Sequence, residues 1–196
     1  MAPVVSMKAA VLDSPNAPFR VADLTRPTPG GGQVLVRIEA SGVNPLDAKI
    51  RAGQAAHARH PMSAVLGLDL AGVVEEIGPG VTIFKPGEAV YGMTGGVGGL
   101  QGSLAQYALA DSELLAPKPR NLSVREAAAL PLIFITAWEG LVDRANVGRG
   151  QKARPRRRRR GRPHRGPGGP RAGCGGLCHR LGQGSGLYRA ARCDLH

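Results

Sequence analysis

Cysteine is missing from the first 173 residues; Cys174, Cys178 and Cys193 are the only three. A body without thiols has no disulfide and no thiolate metal site. Long apolar runs are missing as well. The longest, AAALPLIFITAW at 127–138, falls short of the roughly 20 residues a helix needs to cross a bilayer. The opening MAPVVSMKAAVLDSP does not show the basic-then-apolar layout of a secretory leader. The expectation is a soluble, cytoplasmic protein. Residues 153–196 lack Val and Ile entirely, contain Leu only at 177, 181, 187 and 195, and carry a single acid, Asp194. A stretch so poor in apolar side chains cannot build a core and is expected to be disordered.

The formal net charge of +12 over 196 residues suggests a polyanion partner until it is divided by position. Residues 1–152 hold 14 basic and 13 acidic residues, a net of +1. Residues 153–196 hold 12 basic residues against one acid, a net of +11. The body is nearly neutral, so the overall charge says nothing about the folded part. Its length suits one domain or one and a fraction.

Within the body, the first 120 residues read as short strands separated by turns. KAAVL (8–12), QVLVRIEA (33–40), AGVVEEIG (71–78), EAVYGM (88–93) and LAQYALA (104–110) are the strand-like runs, with PGGG at 29–32 and PG at 79–80 and 86–87 between them. Many short strands with regular turn signals predict a barrel or sandwich rather than alternating strands and helices. Alternation in VLVRIEA predicts Val34, Val36 and Ile38 on one face, with Leu35, Arg37 and Glu39 on the other. The pattern changes at Ser123. Ser123 and Glu126 have the spacing of a capping box. Pro131 either stops the helix that follows or opens a second. LIFITAWEGLVDRA (132–145) predicts a buried helix, and NVGRGQK a turn into a strand near residue 153. That strand would need Val, Ile or Leu; six of the seven residues from Arg154 to Arg160 are arginine instead.

Three short motifs invite chemistry. TGGVGG at 94–99 resembles a phosphate loop, but such a loop needs a strand before it and a helix after it. Strand-like SLAQYALA follows here, so a flexible turn is the better reading. His57-x-x-His60 lacks a carboxylate or thiol at matching spacing and reads as two loop histidines. Cys174-x-x-x-Cys178-His179 lies in the segment without a core and carries little weight.

A distributed pattern says more. SGVNPLDAKIRAG (41–53), PMSAVLGLDLAGVVEEIGPGV (61–81), FKPGEAVYG (84–92), GSLAQYALA (102–110) and LSVREAAALPLIFITAW (122–138) occur in that order. Together they resemble the N-terminal catalytic domain of the medium-chain dehydrogenase/reductase superfamily. The branch most resembled is the zinc-independent, zeta-crystallin-like quinone reductases. The resemblance runs from about Met7 to Lys152. It implies a mainly β fold with helices, a partly open GroES-like β-barrel, leading into a Rossmann domain that this chain lacks. The expected organisation is a leader at 1–6, the GroES-like domain at 7–122, a helical connection at 123–152 and a disordered basic tail at 153–196.

What the resemblance implies about chemistry follows position by position. Zinc-dependent relatives carry Cys where this chain has Asn44, and Gly-His-Glu where it has Gly67-Leu68-Asp69. Neither Asn44 nor Leu68 offers a thiolate or imidazole to zinc, so no zinc is expected. The implied activity is hydride transfer from NADPH to a quinone or an α,β-unsaturated carbonyl. By family position Asn44 lies beside the nicotinamide and the substrate carbonyl, where its amide N–H is suited to a developing enolate oxygen. Thr136 would contact the nicotinamide end of the cofactor. Each has a blander alternative: Asn44 as an Asn-Pro turn residue bonding its own backbone, Thr136 as a helix hydroxyl bonded to a preceding carbonyl. Asp69 has a structural and a catalytic reading, of which the structural is preferred. Relatives are implied to be homodimers whose interface lies largely in the domain missing here.

The family's Gly-rich pyrophosphate loop is expected some five residues after Gly150-Gln151-Lys152, at a strand-to-helix turn. The arginine run stands there. Arg, Gly, Pro and His are commonly encoded by CGN, GGN, CCN and CAY. Read one base later, most codons from Arg154 onward become GNC or GNG. The permitted string includes Val-His-Gly-Gly-Ala-Gly-Gly-Val-Gly-His-Ile-Ala-Val-Gln, a strand, a fingerprint and a helix start in the right order. Residues 153–196 are therefore expected to be an out-of-frame reading that begins near Lys152, and the chain as written is expected neither to bind NADPH tightly nor to turn over. The alternative is a non-enzymatic, nucleic-acid-associated protein whose arginines neutralise phosphates without sequence preference. Against it, Tyr188 is the only aromatic of the tail, too little for base stacking.

Overall fold

The computed structural model of the chain describes residues 5–55, 63–94 and 100–151. The chain divides into two units, Met1–Gly140 and Leu141–His196. The first is mostly β, as expected. Its strands are β1 (Ser6–Leu12), β2 (Arg20–Thr25), β3 (Gln33–Gly42), β4 (Ala64–Val65), β5 (Asp69–Ile77), β6 (Ala89–Met93), β7 (Tyr107–Asp111) and β8 (Leu115–Pro117). The helices are α1 (Pro45–Arg51), α2 (Val124–Ala128) and α3 (Pro131–Trp138).

Two antiparallel sheets form, in the order β2-β1-β4 and β7-β3-β5-β6-β8. They do not close into one barrel. The segment leading into β7 links them. Ala105 bridges to Ala9, the Ala10 N–H donates to the Leu104 carbonyl at 2.8 Å, and the Gln106 N–H to the Lys8 carbonyl at 2.9 Å. This is the partly open arrangement of a GroES-like domain.

The larger sheet is ordered by its long central strand. β3 pairs with β5 over its whole length and with β7 over its first half. Val34 and Val36 of β3, Leu70 and Val74 of β5, Val90 of β6 and Phe84 pack into one buried cluster. Each such side chain is worth on the order of 1.5–3 kcal/mol when fully buried. The predicted alternation is seen in this cluster: Val34, Val36 and Ile38 share it, while Leu35, also fully buried, lies outside it. The ladder between β3 and β5 slips between Leu35 and Val36, where Glu75 of β5 is the extra, unpaired residue of a bulge.

Ser123 caps α2 in the predicted manner. Its hydroxyl accepts the Glu126 N–H, and the Glu126 carboxylate accepts the Ser123 N–H at 2.9 Å. The carboxyl of Glu126 is held below its ordinary range, first by that backbone N–H and then by the Ser123 hydroxyl. Ala127 and Ala128 are buried against Ala71. Pro131 opens a second helix rather than ending the chain's helical part. The predicted run 132–145 is thus α3 followed by a π-helical turn at Glu139–Arg144. It is not buried as expected: Ile133 and Ile135 are 47% and 50% exposed. α3 is apolar on every side, so the first unit covers only part of it.

The second unit is described from Leu141 to Gln151. There the Val147 N–H closes on the Leu141 carbonyl at 2.8 Å, and the Gly148 N–H donates to Gln151 Oε1 at 2.9 Å. His57, His60, the glycines of TGGVGG and the arginine-rich residues 153–196 lie outside the described residues.

Candidate functional site

The site is built where β3 ends, α1 begins and β5 starts. Asn44 precedes Pro45, whose fixed φ suits the first position of a helix. As the residue before α1, Asn44 has extended backbone, and its N–H donates to Asp47 Oδ2 at 2.8 Å. Its side-chain nitrogen reaches beyond that turn. Nδ2 donates to Asp69 Oδ2 at 2.9 Å. Both residues are buried, with 4% of Asn44 and none of Asp69 exposed.

Asp69 has a second donor. The Leu132 N–H, in the first turn of α3, reaches its Oδ1 at 3.1 Å. One carboxylate therefore touches both the turn that presents Asn44 and the helix that carries Thr136. A helix start is favourable for an anion, because its first N–H groups have no partner within the helix. Burial pushes the Asp69 carboxyl up; the Asn44 and Leu132 hydrogen bonds act against this, the nearby Asp47 charge adds to it, and the net shift is upward. Asp47 is itself buried, and its Oδ1 has no hydrogen-bond partner among the described residues. Asp47 and Asp69 also have no ion pair among them.

The backbone below Asp69 is clamped by hydroxyls. Ser103 Oγ donates to the Asp69 carbonyl at 2.7 Å, and Ser41 Oγ lies 2.6 Å from Ser103 Oγ. Thr94 Oγ1 donates to the Gly67 carbonyl at 3.2 Å. Two glycines make room. A Cβ on Gly42 would overlap the Ala128 carbonyl oxygen and lie 2.9 Å from Asp69 Cβ. Gly67 has φ +105°, a backbone shape that side chains disfavour, and packs on Ser103.

Thr136 stands apart from this network. It is exposed, and its hydroxyl donates to the Leu132 carbonyl of its own helix at 2.7 Å. The two predicted site residues are thus joined only through α3 and Asp69. Asp47 is the member that sequence reasoning left out, and Asp69 is the one it read as structural. The available signal was the pair of acids that follow Asn44, in NPLD and GLD. Among the described residues, no cluster of three or more His, Cys, Asp or Glu side chains could hold a metal ion. Nor is any helix among them long and apolar enough to cross a membrane.

Two open antiparallel sheets with short helices packed at one end define a small β domain of the GroES-like class. Residues 30–120 match the alcohol dehydrogenase GroES-like domain. A zinc-type alcohol dehydrogenase-like protein of Staphylococcus aureus is 41% identical over 125 residues, 64% of this chain and 36% of that protein. An NADPH-dependent alkenal/one oxidoreductase of Arabidopsis thaliana is 43% identical over 114 residues, 56% of this chain and 30% of that enzyme. In three dimensions the chain is similar to an alcohol dehydrogenase superfamily protein from Novosphingobium aromaticivorans, with a TM-score of 0.72 and 62% identity, covering 74% of this chain and 44% of that one. The chain thus spans about a third of the length of the curated relatives it matches.

Proposed function

We propose that this domain is the substrate-side part of an NADPH-dependent oxidoreductase that reduces quinones or α,β-unsaturated carbonyls without zinc. The observation that carries the reading is the Asn44–Asp69 pair. Where zinc-dependent relatives place a thiolate, this chain has an amide whose nitrogen is already engaged by a buried carboxylate. An amide nitrogen is a donor and binds no zinc. The similarity to an NADPH-dependent alkenal/one oxidoreductase supports the same reading.

NADPH, when bound to such an enzyme, supplies the hydride. The residues of this chain contribute position and polarity. Asn44 Nδ2 has two hydrogens, and the bond to Asp69 uses one. The second is left for a carbonyl oxygen that gains charge. Two buried carboxylates nearby oppose that charge.

The chain as written does not fit the whole cofactor. No Gly-rich phosphate loop follows Lys152 in the sequence, so no catalytic step is assigned to these 196 residues alone. We propose that residues 153–196 are an out-of-frame reading and that the active protein has the frame restored. The experiment is NADPH consumption with a quinone and with an enone, for both proteins, with and without a strong chelator. Turnover by the frame-restored protein alone, unchanged by the chelator, is expected. Chelator-sensitive turnover, or equal turnover by the 196-residue chain, contradicts the reading.

A further inference from the structure

We propose that Asp69 is the positioning residue of this site: one buried carboxylate fixes the orientation of the Asn44 amide and ties it to the first turn of α3. The functional meaning rests on the reading of Asn44 as the group that meets a substrate oxygen; the geometry does not.

An asparagine amide can rotate by half a turn and exchange its donor for its acceptor. At Asn44 that exchange is blocked. The partner is a carboxylate oxygen at 2.9 Å, and an ionised carboxylate only accepts. Turning the amide over would set Asn44 Oδ1 against Asp69 Oδ2 in a space with no exposure at Asp69. The nitrogen must therefore face Asp69, which determines where its second hydrogen and its oxygen lie. Asp69 cannot turn away either. Its other oxygen accepts the Leu132 N–H at 3.1 Å. Its own backbone is pinned, since Ser103 Oγ holds its carbonyl at 2.7 Å. Gly42 adds a tight wall, because any Cβ there would sit 2.9 Å from Asp69 Cβ. Both ends of Asp69 are thus fixed by partners from β3, the segment before β7, and α3. The residue is a hub through which a shift of α3 is felt at Asn44.

The chain has four asparagines, at 16, 44, 121 and 146, and Asn44 is the buried one while the others are exposed. Selective 15N-asparagine labelling of the 196-residue chain therefore gives four side-chain amide pairs to compare. In the wild-type protein, one pair is expected to show two distinct proton signals, with one proton exchanging at least about tenfold slower than those of the exposed asparagines, the scale of one retained hydrogen bond. Averaged signals, or fast exchange of both protons in all four pairs, overturn the proposal without any variant. In uniformly 15N-labelled Asp69→Ala, compared with uniformly labelled wild type, the Asn44 side-chain proton and the Leu132 backbone N–H are expected to lose protection together, about tenfold, while the Val36 N–H in the sheet keeps its rate. A uniform loss across all three marks Asp69 as a general structural residue and also overturns the proposal. No cofactor or substrate is present in this experiment, so failure of the reductase reading and failure of the positioning role are separately visible.

Discussion

Asp69 carries a charge that folding disfavours, and this has a consequence in pH. An aspartate whose carboxyl is raised by burial above its unfolded value of about 3.9 binds its proton more tightly when folded. Stability from this group is present near the unfolded value and is lost as pH rises through the folded one. Asp69→Asn removes the titration. The difference in Tm between wild type and Asp69→Asn should therefore shift in favour of wild type as pH falls from neutrality toward about 4. Thermal melts across that range check it, and a shift the other way contradicts the burial argument. Gly42 offers a second test at this scale. A methyl there meets the Ala128 carbonyl and the flank of Asp69. Gly42→Ala should cost about 1–3 kcal/mol, the usual range for overpacking, read from urea unfolding. The site was partly legible in the sequence. Asn44 could be found because its departure from Cys is visible in a run of familiar residues. Asp69 looked structural because nothing in a linear sequence shows that one carboxylate spans 25 positions to Asn44 and 63 to Leu132.

At the scale of elements, what could be read locally was read well. β3, β5 and β6 appear within about two residues of their predicted bounds, because Val-rich runs end at Pro-Gly turns. The Ser123–Glu126 box marks the start of α2 because its chemistry is complete within four residues. Ser123→Ala should cost about 1 kcal/mol and be seen as a lower unfolding midpoint. β2 was missed: RVADLT has little apolar content and is a strand because it pairs residue for residue with β1. β4 and β8 are too short to carry a period. α1 was missed because its seven residues follow an Asn-Pro pair that reads as a turn. α3 was foreseen, but it is not buried as a helix of this composition was expected to be. Ile133 and Ile135 are half exposed on a helix with no polar side, and such surface promotes association. The wild-type chain should therefore self-associate as concentration rises in static light scattering. Replacing both isoleucines with lysine should leave it monodisperse. Equal association of the two would place the sticky surface elsewhere.

The whole molecule sets two halves of different character side by side in one sequence. Residues 30–120 match a GroES-like domain and hold the buried Asn44–Asp69 hydrogen bond. Residues 153–196 have the charge of a polyanion binder, and on the proposal above they are read in a shifted frame. If the tail were the working part, deleting 153–196 would abolish function; on the present account it abolishes only non-specific binding to polyanions. The account turns on one claim, that the phosphate-binding half of the cofactor site is encoded in the other frame. The most direct measurement is an NADPH fluorescence titration of the 196-residue chain beside the frame-restored protein. Saturable micromolar binding by the restored protein and none by the 196-residue chain is the predicted result. Micromolar binding by the 196-residue chain itself would contradict the account.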